Sequence, residues 1–199
     1  EIGRGVRLAA GMLMIRIHGD LHLGQILITQ GDVHIIDFEG EPVRPLQERR
    51  ELSFPWRDLA GLLRSFDYAV ASFDSQVGTG MLNAAPGDSE SLAIPDTPGL
   101  AERRHELIVR FCSTATRAVL ANYEAEVAAW AAEHPDSAPL SATDTATRAR
   151  LLDLALLEKA AYEVCYEAAH RPDWIGIPLR GLHAAVQRLL RGDTSREGE

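Results

Sequence analysis

Two short polar segments, separated by one turn, contain the residue types that phosphoryl transfer requires. Asp20 lies in the segment His18–Gln25, and Gln25 follows it five positions later. In phosphoryl-transfer sites an Asp accepts the proton of the acceptor hydroxyl, and an amide five residues further on binds magnesium. Asp37, in the second segment Ile35–Gly40, begins a turn of the kind that holds the metal on the nucleotide phosphates. The spacing therefore predicts Asp20 as the base and Gln25 with Asp37 as metal ligands.

The predicted ligands suit ATP and Mg²⁺ as cofactors. Magnesium takes oxygen ligands and usually keeps several waters, so one carboxylate, one carboxamide and the phosphate oxygens form a sufficient set. Gln25 stands where Asn is usual, and it keeps the carbonyl oxygen while adding one rotatable bond. An isolated Asp in a glycine-containing turn more often shapes the turn than binds a metal. The prediction therefore rests on the combination of base, amide and second Asp.

The remaining polar residues of these segments are expected to support them. His18 and His22 have a spacing that also occurs in zinc sites, but no Cys lies nearby and a third ligand of obvious spacing is missing. A structural role is the favoured interpretation, in which His18 braces the catalytic loop. Glu39 is expected to support the Asp37 turn. The charged stretch Gln47–Glu51 fits a phosphate contact or, as the favoured interpretation, a solvated surface.

Hydrophobic patterning predicts a hairpin followed by helices. The β-branched runs 25–29 and 33–37 flank Gln30-Gly31-Asp32, so they predict two strands that bring Gln25 and Asp37 towards one metal. A short strand, Leu13–Ile17, is expected to deliver the catalytic loop. Gly78–Gly99 is rich in Gly, Pro and Ser and predicts a loop. Helical periodicity, started at Ser53 for the helix expected to pack under the catalytic loop, predicts four helices: Pro55–Phe73, Glu102–Trp130, Thr143–His170 and Leu179–Leu190.

The sequence resembles the maltokinases, within the group that also includes aminoglycoside phosphotransferases and choline kinases. The His-Gly-Asp loop and the Asp turn are common to the group. Similarity to maltokinases extends over nearly the whole chain, except for residues 78–100 and the tail after Leu190. It rests on the segments His18–Gln25, Ile36–Pro42, Arg57–Ala69, Leu157–Glu167, Arg171–Trp174 and Ile177–Leu179.

The resemblance implies a fold, a domain organisation and a reaction. The fold is α+β and mostly helical, the C-terminal lobe of a protein kinase-like (aminoglycoside phosphotransferase-like) structure with a small hairpin. Residues 1–199 are expected to form the catalytic and acceptor-binding lobe, with the N-terminal nucleotide lobe absent from this chain. The implied reaction transfers the γ-phosphoryl group of ATP to the anomeric hydroxyl of maltose, giving maltose 1-phosphate. Such enzymes link trehalose to α-glucan and glycogen synthesis, and a trehalose synthase domain or subunit is a possible partner.

By the same resemblance, Lys159, Tyr162, Glu163 and Tyr166 match positions that line the sugar pocket. Their spacing places all four on one stripe of a helix. Charged groups can bind sugar hydroxyls, and tyrosine rings can stack on sugar rings. In the alternative interpretation, Tyr162 continues the apolar core face of this helix while Lys159 and Glu163 form an i,i+4 surface pair.

Composition places the chain among one-domain enzymes of the cytoplasm. It has 199 residues, is 46% hydrophobic and carries a net charge of −9, which argues against a nucleic-acid partner. No apolar run approaches the roughly 18 residues that span a membrane, and no signal segment is recognised. Cys112 and Cys165 fall in predicted helices and are expected to be buried, reduced thiols.

Two other functions remain open from the sequence. One is a kinase for another small hydroxyl compound, such as an aminoglycoside or choline. The other is a sugar-binding module without catalytic activity, because half of the nucleotide cleft is not found in this chain.

Overall fold

A two-stranded antiparallel hairpin carries the metal-binding segment predicted from the sequence. The computed structural model describes residues 9–78, 99–140 and 144–194. Strand β1 spans Ile26–Thr29 and β2 spans Asp32–Ile35, with Ile26 opposite Ile35. The turn between them has positive φ at two successive residues, Gln30 (51°) and Gly31 (88°), as tight hairpin turns require. The hairpin is confirmed, although its strands are shorter than predicted.

The segment Leu13–Ile17 does not form the regular strand that was predicted. It contributes one isolated bridge, in which Ile15 and Ser53 exchange both main-chain hydrogen bonds at 2.9 Å. Ser53 lies just before a helix, so the chain turns away and no ladder continues beyond this pair. The single bridge still anchors the approach to the catalytic loop beside that helix.

Helices make up most of the structure that follows the hairpin. The helix Thr145–His170 contains the stripe expected to face the sugar, and it begins after Asp144, whose side chain accepts a hydrogen bond from the amide of Thr147 at 2.8 Å. The predicted loop Gly78–Gly99 lies almost wholly outside the described residues. The helices are α1, Leu46–Arg49; α2, Trp56–Gly78; α3, Leu100–Glu133; α4, Thr145–His170; and α5, Gly176–Thr194.

The apolar core lies among α2, α3 and α4. It is formed by Trp56, Leu59, Ala60, Leu63, Phe66, Cys112, Leu151 and Ala155. Cys112 is buried as predicted, but the prediction for Cys165 was wrong because this thiol is exposed. Cys165 lies about 200° around α4 from Glu163 and Glu167, which face inwards. Within the described ranges, no helix combines the length and apolar character needed to cross a membrane.

Candidate active site

The catalytic loop, as the segment His18–Asp20 is called here for its predicted role, is held by contacts with α2. Asp58, in the first turn of α2, accepts hydrogen bonds from the main-chain amides of His18 (2.6 Å) and Gly19 (2.8 Å). Gly19 has φ +87°, and a Cβ there would lie 3.1 Å from the Cα of Gly40. The loop therefore needs glycine at this position and a carboxylate on the helix. Asp58 was not selected from the sequence as a site residue, since only its spatial position shows its role.

His18 connects the Asp20 loop to the segment that leads to Asp37. The imidazole is buried, and its Nδ1 accepts from the amide of Asp20 at 3.3 Å. This assignment places the proton on Nε2, which donates to the carbonyl of Ile36 at 2.7 Å. The bracing role expected of His18 matches this geometry. His22 instead accepts from the amide of Gly24, and no group of three potential metal-ligating side chains occurs among the residues that the structure describes.

Gln25 and Asp37 are in direct contact. The side-chain amide of Gln25 donates to Oδ2 of Asp37 at 3.0 Å, so the hairpin does bring these two residues together. Asp37 adopts φ +64°, a conformation uncommon for residues other than glycine and often found at functional sites. Both side chains offer hard oxygen atoms, and both are exposed or half-buried. The donor set therefore fits a magnesium ion.

The expected supporting role of Glu39 is limited to its main chain, whose carbonyl accepts from Arg49 at 3.3 Å. The Glu39 side chain is exposed, whereas the carboxylate buried in this turn belongs to Glu41, which is 4% exposed. Arg49 belongs to α1, within the stretch Gln47–Glu51 that was expected to be a solvated surface. The supporting role of Glu39 therefore stays a prediction, and the buried carboxylate of the turn, Glu41, was not selected from the sequence.

Lys159 lies between two carboxylates. Its Nζ is 3.3 Å from Oδ1 of Asp20 and 2.5 Å from Oε1 of Glu41, and the second oxygen of Glu41 accepts from Nε of Arg44 at 2.6 Å. Burial disfavours the charge on Glu41, but the neighbouring Lys159 and Arg44 hold its pKa below the ordinary value. Burial likewise opposes the ammonium, yet Glu41 and Asp20 hold the pKa of Lys159 above its usual value. The pair is therefore ionised around neutral pH.

A cavity of about 460 Å³ opens beside Asp20, within the size range of small-molecule sites. All four residues of the predicted stripe line it: Lys159, Tyr162, Glu163 and Tyr166. The alternative of an exposed Lys159–Glu163 pair was wrong, because Lys159 contacts Asp20 and Glu41 while Glu163 is buried against Arg64 of α2. The same stripe thus faces a cavity, as the sugar-pocket interpretation requires.

Two ion pairs hold the inner wall of this cavity, and neither was predicted from the sequence. Nε of Arg64 donates to Glu163 at 2.9 Å, and burial raises the pKa of Glu163 although Arg64 opposes the shift. Glu167, 1% exposed, accepts both hydrogen bonds of a bidentate pair with Arg171, at 2.9 and 2.6 Å. It also accepts from the hydroxyl of Tyr68 at 3.1 Å. Burial and these carboxylates raise the pKa of Tyr68, so its hydroxyl stays a donor.

A signal for Glu167 was present in the sequence. It follows Glu163 by four residues and so continues the predicted stripe by one turn of α4. Arg64 had no such signal, since its partner is 99 residues away in the chain.

Comparison with curated proteins finds similarity to glucosamine kinases, while no family model matches the chain. A glucosamine kinase from Mycolicibacterium smegmatis (strain ATCC 700084 / mc(2)155) is 28% identical over 186 residues, which cover 94% of this chain and 37% of that protein. A glucosamine kinase from Streptacidiphilus jiangxiensis is 39% identical over 59 residues, covering 30% of this chain and 14% of that protein.

Solved structures show a similar fold. A structure of glucosamine kinase in complex with glucosamine, ADP and inorganic phosphate has a TM-score of 0.56 at 22% identity, over 96% of this chain and 41% of the other. Crystal form A of glucosamine kinase gives 0.55 at 22% identity, over 96% and 40% of the two chains.

The chain spans about two fifths of the length of the relatives that it matches over most of its residues. The mostly helical structure with its two-stranded hairpin matches part of their kinase-like fold. None of the proteins described above is a maltokinase, so the finer resemblance to maltokinases stays a prediction from the sequence. The chain is homologous to glucosamine kinases over the part of them that it covers.

Proposed function

We propose that this chain is the C-terminal, catalytic and acceptor-binding lobe of an ATP-dependent sugar kinase. The observation that carries the proposal is that Asp20 lines a cavity of small-molecule size on one side, while the His18 contact connects its loop to the Gln25–Asp37 pair on the other. Homology to glucosamine kinases supports the same class of reaction. A nucleotide-binding lobe outside this chain would complete the cleft.

In the proposed reaction, Asp20 accepts the proton of the acceptor hydroxyl as that oxygen attacks the γ-phosphorus of ATP. The bond between the γ-phosphorus and the bridging oxygen breaks, and its electron pair leaves with ADP. Gln25 and Asp37 would hold Mg²⁺, which would neutralise charge on the phosphates. The chain's own contribution is to position the base and the acceptor and to stabilise charge, which is what this chemistry mainly requires.

For the acceptor we propose a neutral sugar, with maltose as the substrate and maltose 1-phosphate as the product. Among the described residues that line the cavity, all three carboxylates are already paired with a cation: Asp20 with Lys159, Glu163 with Arg64 and Glu167 with Arg171. A cationic acceptor would have to compete with these built-in partners. Sugar hydroxyls need only hydrogen bonds, and Tyr162 and Tyr166 add aromatic surface. The same argument disfavours aminoglycosides and choline.

Glucosamine is the second candidate acceptor, because the related proteins bear that name. Its amino group is largely protonated at neutral pH, so it tests the argument from charge directly. A trehalose synthase domain or subunit remains a proposed partner, by the resemblance to maltokinases alone.

The first experiment incubates the full-length protein with ATP and one acceptor at a time, with mass detection of the product. Maltose, glucosamine, an aminoglycoside and choline form the panel, and Asp20→Asn is the matched variant. Loss of the base should lower the rate by about 10²–10⁴-fold. A maltose 1-phosphate signal that collapses in the variant supports both acceptor and base. Preference for glucosamine would reject the neutral acceptor, and binding of maltose without MgATP in calorimetry would favour the non-catalytic module.

A further inference from the structure

We propose that Glu41 and Lys159 form a positioning pair for the base, so that Lys159 orients Asp20 and does not bind the sugar. This inference rests on the proposed function, because it concerns the base of that reaction. Glu41 is neither the proposed base nor a proposed metal ligand, and its role would be to position the base through Lys159.

The ammonium of Lys159 is directed to groups of the protein itself. Its ammonium is 2.5 Å from Glu41 and 3.3 Å from Asp20, and it lies 5.2 Å from the centre of the Tyr162 ring. An ammonium has three donors, and two of them are directed to carboxylates here. Lys159 is therefore committed to protein partners from three directions. Its contact with Asp20 uses Oδ1, so we assign Oδ2 of Asp20 to the acceptor hydroxyl.

Glu41 is buried and is held in place by two cationic side chains. Glu41 is 4% exposed and does not line the 460 Å³ cavity, so it is not placed to touch a sugar there. One of its oxygens faces Lys159 and the other faces Arg44, which fixes the carboxylate from two sides. Glu41 also follows Asp37 by four residues. The position of the base is thus connected, through Lys159, to the end of the turn that carries the proposed metal ligand.

Helix α2 packs closely against the catalytic loop beside Lys159. A Cβ at Gly61 of α2 would lie 2.6 Å from the carbonyl oxygen of Leu21 and 3.9 Å from Cε of Lys159. The absence of a side chain therefore lets the helix approach the catalytic loop closely, while a Cβ would make only ordinary van der Waals contact with Lys159. The Lys159 chain thus passes beside the point where helix and loop are in close contact.

The test compares steady-state kinetics of Glu41→Gln with wild type in the full-length protein. A displaced base should lower kcat by about 10- to 100-fold, because small misplacements of reacting groups are costly. The acceptor KM should stay within about twofold, since a residue that acts only in the transition state leaves it unchanged. Lys159→Gln should show the same split. Glu124→Gln is the matched control, because Glu124 of α3 pairs with Arg148 of α4 at 3.6 Å, takes no part in the contacts among Lys159, Glu41 and Arg44, and should leave kcat unchanged.

Several outcomes would overturn the proposal. Wild-type kcat in Glu41→Gln would do so, and so would a raised acceptor KM at unchanged kcat in Lys159→Gln, which would return Lys159 to the sugar site. Additive losses in the double variant would show that the two residues do not act as a unit. If Glu41→Gln fails to fold by circular dichroism, Lys159→Gln decides, because it leaves Glu41 paired with Arg44.

Failure of the proposed function is recognised separately, by a wild-type protein that phosphorylates none of the acceptors. The pair is then tested without turnover, by an NMR titration of the Lys159 ammonium. Removing Glu41 leaves burial without its main compensating charge, so the pKa of Lys159 should fall in Glu41→Gln. An unchanged pKa would overturn the pairing whatever the reaction is.

Discussion

The two sides of the site are built in different ways. On the proposed metal side, the hairpin and the turn after it leave apolar side chains exposed, such as Ile28 at 76% and Phe38 at 58%. The predicted ligands there are set by turn geometry and by the side-chain contact between Gln25 and Asp37. On the proposed acceptor side, Arg64, Glu163 and Glu167 are nearly inaccessible. The Arg64–Glu163 ion pair joins two helices, and Glu167 is held by Arg171 at the end of its own helix and by the Tyr68 hydroxyl. Function and stability should therefore separate on the metal side and be coupled on the acceptor side.

The largest expected effect breaks the metal side alone. Asp37→Gly should lower kcat by about 10³-fold or more, because loss of a metal-ligand carboxylate removes several kcal/mol of charge stabilisation. Its midpoint of thermal unfolding should not fall, since glycine adopts φ +64° without strain. Turnover and differential scanning calorimetry measure the two. A marked loss of stability would contradict the separation drawn for the metal side.

The next effect should appear on the acceptor side as a loss of stability. Arg64→Met leaves the Glu163 carboxylate buried without its cation, which should cost about 3–5 kcal/mol in the free energy of unfolding. Urea denaturation measures the change. Adding Glu163→Gln in the same chain should recover part of that loss, because the unpaired charge is then gone. If the losses in the free energy of unfolding from Arg64→Met and Glu163→Gln simply add in the double variant, the two residues are not coupled.

A smaller effect tests how closely α5 packs against this ion pair. A Cβ at Gly181 would overlap the Arg64 guanidinium, at 2.0 Å from Nη1, so Gly181→Ala should destabilise the protein by about 1–3 kcal/mol. Gly176→Ala in the same helix is the control, since its Cβ would meet only the flexible end of Arg180 at 3.4 Å. Equal unfolding midpoints for the two variants would argue against tight packing at Gly181.

The smallest expected effect is the pH dependence of the stabilisation by Glu41, which is buried although the predicted metal ligands are exposed or half-buried. Its pKa is lower in the folded than in the unfolded chain, so its stabilising contribution is present above the unfolded pKa, about 4.3, and is lost as pH falls below it. The stability difference between wild type and Glu41→Gln should therefore shrink on acidification. Urea midpoints across this range measure it, and a difference that grows would reverse the assigned direction.

The sequence predicted best what is local in the chain. Gln25 and Asp37 lie 12 residues apart at the two ends of a hairpin, so their spacing alone indicates that they come together. Partners far apart in the chain were missed, because Lys159 and Glu41 are separated by 118 residues and Arg64 and Glu163 by 99. Asp58 belongs to the same class. No periodicity specifies which buried charges of two helices face each other, since that depends on how the helices pack.

Cys165 and Leu13–Ile17 show two further limits. A helical prediction does not say which side of a helix is buried when polar residues such as Glu163 and Glu167 occupy the inner side. A largely apolar pentapeptide predicts an extended segment but not its partners. Here Ile15 bridges to Ser53, and the amide of Leu13 donates to the carbonyl of Pro139 at 2.9 Å.

The Arg64–Glu163 pair also bears on how acceptor preference changes in evolution. Substitution at Glu163 leaves Arg64 with Asp67 as a remaining carboxylate partner. Substitution at Arg64, which lies on a different helix, frees a carboxylate that lines the cavity, at the loss of stability given above. A mutational route to a cationic acceptor therefore starts at a residue that does not line the pocket, and it needs stabilising substitutions elsewhere.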